Sequence, residues 1–228
     1  MTDPAPRTVR LSVADAYDRW AQAYDDYPNS LVFTATQVVT ALTLSIAGKD
    51  VVEFGCGTGR NLEILKRGGA ASLTGLDLSP GMLAKAAERD LGAQLIEHDM
   101  TWPAPLTDAS ADHILFSLTL EHIARPAIPL AEARRLLRPG GRITVVEIHP
   151  FLSLGGLAAH FILDGEQVEM PTYPHSFSGH LNAIAEAGLT VVACKEWRPR
   201  DLGPDTPERV FKRGADMPLV VEFSLKAG

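Results

Sequence analysis

An α/β fold, with helices layered on both faces of a mostly parallel sheet, is what this sequence predicts, and three observations lead there. Val51-Val52-Glu53-Phe54 is an apolar, partly β-branched run that feeds glycines at 55, 57 and 59, the pattern of a strand turning sharply into a helix. Two later apolar stretches, Leu73 to Asp77 and Gln94 to Asp99, also end in an acid. Apolar strand candidates then keep alternating with helical segments toward the C-terminus, as in stacked βαβ units.

The elements follow in chain order. Ser12 to Tyr27 reads as a helix with Tyr17, Trp20, Tyr24 and Tyr27 recurring at three- and four-residue steps on one face, ended by Pro28. A second helix covers Phe33 to Ala47, closed by Gly48, before the first core strand. After the glycine turn and its helix, Leu73 to Asp77 forms the next strand, and Ser79 with Pro80 opens another helix as N-cap and first-turn residue. Gln94 to Ile96 and Asp112 to Leu120 are further strands, the latter apolar enough to be a buried parallel one. Pro126 to Leu137 is helical. Arg138-Pro139-Gly140-Gly141 stops that helix and reverses the chain into the strand Arg142 to Ile148. A helix over Phe177 to Ala187 and strands over Thr190 to Trp197 and Leu219 to Leu225 complete the pattern, with a proline-rich polar loop from Arg198 to Pro207.

Composition bounds the partners. With 228 residues, 46% of them hydrophobic, one core suffices and no second domain is required. The two cysteines, Cys56 and Cys194, give neither a disulfide framework nor metal-ligand spacing, which fits reduced thiols in a cytoplasmic protein. Met1 to Arg10 is polar with Pro4 and Pro6 and carries no apolar leader, and no run is long enough to span a bilayer, so no membrane role is expected. The net charge of −7 disfavours nucleic acid as a partner. The basic cluster Arg134, Arg135 and Arg138 sits near a helix C-terminus, where cations offset the macrodipole. The expected protein is a monomer or homodimer.

The glycine turn also says which ligand to look for. Its spacing is G-x-G-x-G with Arg60 following, so the three-residue gap of the dinucleotide fingerprint is missing. Glu53 at the strand end suits a cationic group, and the helix N-terminus beyond Gly59 offers N–H donors to an anion. Together they suit a zwitterion. On these residues the chain resembles a class I S-adenosylmethionine-dependent methyltransferase, in which an E-x-G-x-G-x-G loop holds the methionine part of the cofactor.

That resemblance implies a Rossmann-like three-layer sandwich with a seven-stranded, mostly parallel sheet, an antiparallel C-terminal strand and N-terminal lid helices. It implies S-adenosyl-L-methionine as cofactor, with Glu53, Gly55, Cys56, Gly57, Gly59 and Asn61 around its amino-acid part and Asp77 on both ribose hydroxyls. Asp77 lies about 20 residues past the glycines, the place for a ribose-binding carboxylate. Asp99 and Met100 inherit the adenine contacts, and Leu78, Met82 and Ser117 line the same site. Tyr17-Asp18-Arg19-Trp20-Ala21-Gln22-Ala23-Tyr24-Asp25 matches the Y-x-x-W-A-x-x-Y-D helix that lies across the cofactor in similar small-molecule enzymes. Tyr17 and Tyr24 reach either the ligand carboxylate or the substrate, whereas the whole stripe as plain core packing is the rival reading, strongest for Trp20. The implied organisation is a helical cap over 1–48, a cofactor-binding core over 49–149, a substrate cap over 150–180 and a return to the core sheet over 181–228.

The expected reaction is methyl transfer to an O, N or C nucleophile of a small molecule by in-line displacement. At the rim of the fourth core strand, Phe116-Ser117-Leu118-Thr119 replaces the [DN]-P-P-[YF] tetrad of enzymes acting on exocyclic amines of nucleic-acid bases, which argues against that class. Four of the seven histidines, at 149, 160, 175 and 180, fall in or beside the expected cap. His122, His175 and His149 are the candidate bases. Glu121-His122 and the cap histidines contain no compact metal-ligand motif, so no metal is expected. A non-methylating enzyme of the same fold, or a protein methyltransferase, are the alternatives.

Overall fold

Residues 6–228 are described by a computed structural model. The elements run β1 (Arg7–Arg10), α1 (Val13–Trp20), α2 (Ser30–Ile46), β2 (Asp50–Phe54), α3 (Arg60–Arg67), β3 (Ser72–Asp77), α4 (Pro80–Glu88), β4 (Gln94–Glu97) and β5 (Ala111–Ser117). There follow α5 (Ala127–Leu136), β6 (Leu137–Ile148), α6 (Pro150–Ser153), β7 (His160–Leu163), β8 (Glu166–Glu169), α7 (Phe177–Glu186), β9 (Leu189–Trp197) and β10 (Val220–Ala227). Seven strands form one sheet in the order β4-β3-β2-β5-β6-β10-β9. The pairs from β4 to β6 are parallel, and β10 runs antiparallel between β6 and β9. The α/β, Rossmann-like, seven-stranded expectation therefore holds. The order reverses between β2 and β5, so the carboxyl ends of those strands face a crevice.

Two apolar cores cover the sheet. One gathers Phe54, Phe116, Leu130, Ile143, Ile184 and Phe223 on the α5 and α7 side, where the Phe54 and Phe116 rings stack at 4.9 Å. The other gathers Val38, Val39, Ile46, Leu62, Leu65 and Leu115, so α2 belongs to a core layer along with α3. Among the described residues no helix is long and apolar enough to cross a membrane.

Several boundaries differ from the sequence expectation. The aromatic N-terminal helix stops at Trp20 rather than Tyr27, and residues 21–26 continue as turns. Tertiary bonds explain the break. Asp25 leaves helical register to accept from Thr58 Oγ1 at 2.8 Å and to pair with Arg60 and Arg89 at 2.6 and 2.5 Å. The second helix begins at Ser30, three residues earlier than expected, because Asn29 Oδ1 caps it by accepting from Leu31 N at 2.8 Å. β5 ends at Ser117 rather than Leu120, and the strand expected from Arg142 begins at Leu137, which pairs with Ala111.

In the small second sheet only the turn is suggested by the sequence, at the acidic run Asp164-Gly165-Glu166, and the strands are not. β7 and β8 form a hairpin across Asp164 and Gly165, both at positive φ, and β1 adds to β8 in parallel with Val9 opposite Val168. A third cluster of Ala16, Trp20, Phe161, Val168 and Met170 joins α1 to that small sheet. Trp20 stacks on Phe161 at 4.4 Å, so its ring is packing material. The beginning of the 1–48 segment, with Pro4, lies outside the described residues.

Candidate active site

Backbone geometry at the end of β2 sets the site. Gly55, Gly57 and Gly59 all have positive φ, +70, +53 and +76°, which residues with a Cβ adopt only at a cost. A Cβ on Gly55 would come within 2.9 Å of Thr119 Cβ, whereas one on Gly57 would meet nothing within 4 Å, leaving its main chain open to a ligand. Asp77, at the tip of β3, accepts from Gly57 N at 2.7 Å through Oδ2 and from Ser79 N at 2.9 Å through Oδ1. Burial pushes its carboxyl above the usual carboxylate range.

Glu53 is fully buried beneath the turn. Its Oε1 accepts from Asn61 Nδ2 at 2.7 Å, while Oε2 has no partner among the described residues, and burial drives its pKa up to about 8. A buried carboxylate oxygen with no donor is costly. A cationic group arriving there would relieve it. Cys56 behaves otherwise: its Sγ lies over Gly75, where a Cβ would come within 2.7 Å of it, so the side chain serves the core and only the loop faces the site.

Helix α1 is strapped across this turn. Asp18 accepts from Gly81 N at 2.8 Å and from the Ser79 hydroxyl, and Asp25 holds Thr58, Arg60 and Arg89. Beneath it lies a cavity of about 210 Å³. It is lined by Tyr17, Tyr24, Gly55, Gly57, Asp77, Leu78, Met82, Asp99, Met100, Ser117, Leu118 and His122, among others. A small extension toward Cys56, Thr58, Arg60 and Asn61 shares Tyr24, Gly55, Gly57, Ser117 and Leu118 with it. Most of the expected cofactor residues thus converge on one crevice. Asp99 Oδ1 is held by Thr101 N and Oγ1 at 2.9 and 2.8 Å, fixing the carboxylate at the cavity's edge.

A second cavity, of about 340 Å³, adjoins the first through shared walls at Tyr17, Tyr24 and Leu118. Trp20, Tyr27, Ile148, Leu157 and Leu219 make much of it apolar, and among the described residues Glu121 is the one acid that lines it. Leu118, at the junction, has φ of +54°, a strained conformation for a leucine held by its N–H to Val146 O at 2.8 Å.

The three candidate histidines part company here. His122 lines the first cavity. Its Nδ1 lies 2.9 Å from Pro171 O, which can only accept, so Nδ1 carries the proton and Nε2 accepts from the Tyr17 hydroxyl at 2.9 Å. Burial lowers the His122 pKa and raises that of Tyr17 well above its ordinary value. His175 instead donates from Nε2 to Leu120 O and Ile123 O at 3.2 and 3.0 Å, clamping the turn that carries His122. His149 is fully buried, accepts from Phe151 N through Nδ1 at 3.2 Å and bonds Glu196 through Nε2 at 3.0 Å. Neither lines either cavity. Crowding in sequence gave no information on the direction in which each ring faces.

Two carboxyls were not singled out from sequence as bases. Glu121 is mostly buried, with burial and nearby Glu147 raising its pKa to about 8. Glu147, an acid inside the apolar run Ile143 to Ile148, accepts through one oxygen from Thr119 N at 3.0 Å and Leu120 N at 2.8 Å. Its pKa is raised to about 7 by burial. That charge in an otherwise apolar strand was the available signal. Among the described residues no cluster of three or more His, Cys, Asp or Glu is gathered as for a metal.

Comparison with known proteins bears on this site. The family model described as "Methyltransferase domain" matches residues 52–145. The chain is 30% identical to an uncharacterized methyltransferase of Emericella nidulans, over 82% of this chain and 78% of that one. It is 36% identical to a demethylmenaquinone methyltransferase of Tropheryma whipplei, over 59% of this chain and 58% of that one. The fold matches the crystal structure of an S-adenosylmethionine-dependent methyltransferase from Mesorhizobium loti with a TM-score of 0.69 at 22% identity, covering 86% of this chain and 99% of that one.

Proposed function

The chain belongs to the class I S-adenosylmethionine-dependent methyltransferases, and from that premise we propose that it methylates an O, N or C nucleophile of a small molecule seated in the second cavity. One observation carries this: the two cavities meet at Tyr17, Tyr24 and Leu118, and the outer one, about 340 Å³, has the volume of a small-molecule site. The Tropheryma whipplei relative, a demethylmenaquinone methyltransferase by name, is in keeping with a small acceptor.

The residues present fit the cofactor. Glu53, with its unpartnered Oε2, answers to the ammonium of a zwitterion, and the open Gly57 main chain admits close approach. Arg60 and the start of α3 answer to the carboxylate. In this reading Asp77 takes the ribose hydroxyls, Asp99 and Met100 the adenine, and Leu78, Met82 and Ser117 the remaining walls. Cys56, Gly59 and Asn61 act indirectly, through loop shape and by holding Glu53. When bound, S-adenosylmethionine supplies an electrophilic methyl on a sulfonium that leaves as the thioether.

The protein's work is then to position, to keep water out and to take a proton where the nucleophile carries one. Tyr17 Oη, shared by both cavities, accepts the nucleophile's proton and passes its own to His122 Nε2, while His122 keeps its Nδ1 proton on Pro171 O. His175 and His149 position the surrounding turns. The test is incubation with methyl-labelled S-adenosylmethionine and separate panels of small phenols, carboxylates and amines, of peptides and of oligonucleotides. Label in a small acceptor supports the proposal. Label only in peptide or nucleic acid, or cofactor binding with no transfer to any acceptor, overturns it.

A further inference from the structure

The outer wall of the acceptor cavity differs in charge from the rest of this acidic chain. Arg209, Lys212 and Arg213 line it, all three on the 3-10 segment Glu208–Arg213. Among the described residues none of the three is paired with a carboxylate, although most other arginines on the surface are. The segment is fixed to the site, since the Ser30 hydroxyl donates to Arg209 O at 3.1 Å and Val210 is buried beneath it. The N-terminus of the 17-residue helix α2 borders the same end of the cavity through Asn29, Ser30, Leu31 and Val32, with no acid in its first turn. Its dipole therefore adds to the positive potential of the three side chains. Glu121 also lines the cavity, but burial favours its neutral form, so it does not cancel that potential.

Resting on the small-molecule reading above, we propose that the methyl acceptor carries an anionic group, a carboxylate or a phosphate, that seats against Arg209, Lys212 and Arg213. Its apolar body lies along Trp20, Tyr27 and Leu219, and its nucleophile reaches the Tyr17 and Leu118 junction. The anion fixes which end of the molecule enters first. His160, which also lines the cavity, has its Nδ1 engaged with Ala158 O at 3.0 Å.

The test is calorimetry on the full chain saturated with S-adenosylhomocysteine, titrated with benzoate, phenyl phosphate and benzamide at low and high salt. Exposed cations contribute modestly one by one, so three of them with a helix end are expected to favour the anions over benzamide by roughly tenfold at low salt, shrinking as salt rises. The triple variant Arg209→Gln, Lys212→Gln, Arg213→Gln is expected to lose that preference. Its affinity for S-adenosylhomocysteine serves as the check that the fold is intact. A preference for benzoate identifies a carboxylate acceptor, and one for phenyl phosphate a phosphate. Equal binding of benzamide and both anions, or a preference that survives the triple substitution, overturns the proposal. Because binding is read without turnover, an anion preference with no labelled methyl transfer would sink the enzymatic reading alone.

Discussion

Replacing Glu147 with alanine isolates what holds the turn that leads to His122. Its Oε1 is the acceptor for Thr119 N and Leu120 N, and Leu120 is fully buried, so the alanine variant strands two N–H groups with no route to water. Each such group costs about 1–3 kcal/mol, giving a loss of roughly 2–6 kcal/mol for the pair. In a chain of this length that lowers Tm by about 2–4 °C for each kcal/mol. Glu147→Gln keeps an oxygen in the same place and resembles the protonated acid that burial favours, so its cost should stay below about 1 kcal/mol. Urea unfolding of the three proteins measures both differences. The same turn carries Leu118 and His122, so the alanine variant should also lose turnover that glutamine retains. Equal stability of the alanine and glutamine variants would refute the assignment, because the two N–H bonds would then contribute nothing.

Other consequences are open to measurement. Gly55→Ala sets a Cβ against Thr119 at a backbone angle of φ +70° and should both destabilise the fold by about 1–3 kcal/mol and abolish cofactor binding, read by melting with and without S-adenosylhomocysteine. Glu53, Glu121 and Glu147 all hold their protons more tightly folded than unfolded. The stabilisation these three groups give the ligand-free protein should therefore be complete below about pH 4.5 and be lost as pH rises from 4.5 to about 8, with Glu53→Gln flattening that fall; a stability flat across this window would contradict it. Tyr17→Phe and His122→Gln should each lower kcat by about 10²-fold or more on an acceptor whose proton must leave, with cofactor affinity little changed. Turnover unaltered across pH in both variants would remove the relay.

Much of the crevice at the ends of β2, β3 and β4 was legible in the sequence because its signals are local. A β-branched strand, glycines at 55, 57 and 59 and acids at successive strand ends each sit within a few residues of the backbone they shape. The parts that escaped depend on distant partners. β1 is a four-residue strand that exists only by pairing with β8, more than a hundred residues away, and Arg7-Thr8-Val9-Arg10 alone carries no such instruction. The N-terminal helix obeys its aromatic period only to Trp20, after which the Asp25 ion pairs outweigh it. His149 and His175 looked equivalent to His122 by position, yet the direction of an imidazole is set by the carbonyls and carboxylates folded around it. The cations of Glu208–Arg213 follow the proline-rich loop Arg198 to Pro207, in a stretch to which the sequence assigns no element and no place beside a cavity.

Calorimetric titration of S-adenosylhomocysteine into the wild-type chain and Asp77→Ala tests the site most directly. Asp77 is proposed to accept two hydroxyl hydrogen bonds as a carboxylate, each worth about 1.5–3 kcal/mol, so its loss should weaken binding by at least about a hundredfold. Circular dichroism on the same samples separates this from unfolding, since Asp77 also holds Gly57 N and Ser79 N. A folded Asp77→Ala protein that binds as tightly as the wild type would mean that the nucleoside lies elsewhere.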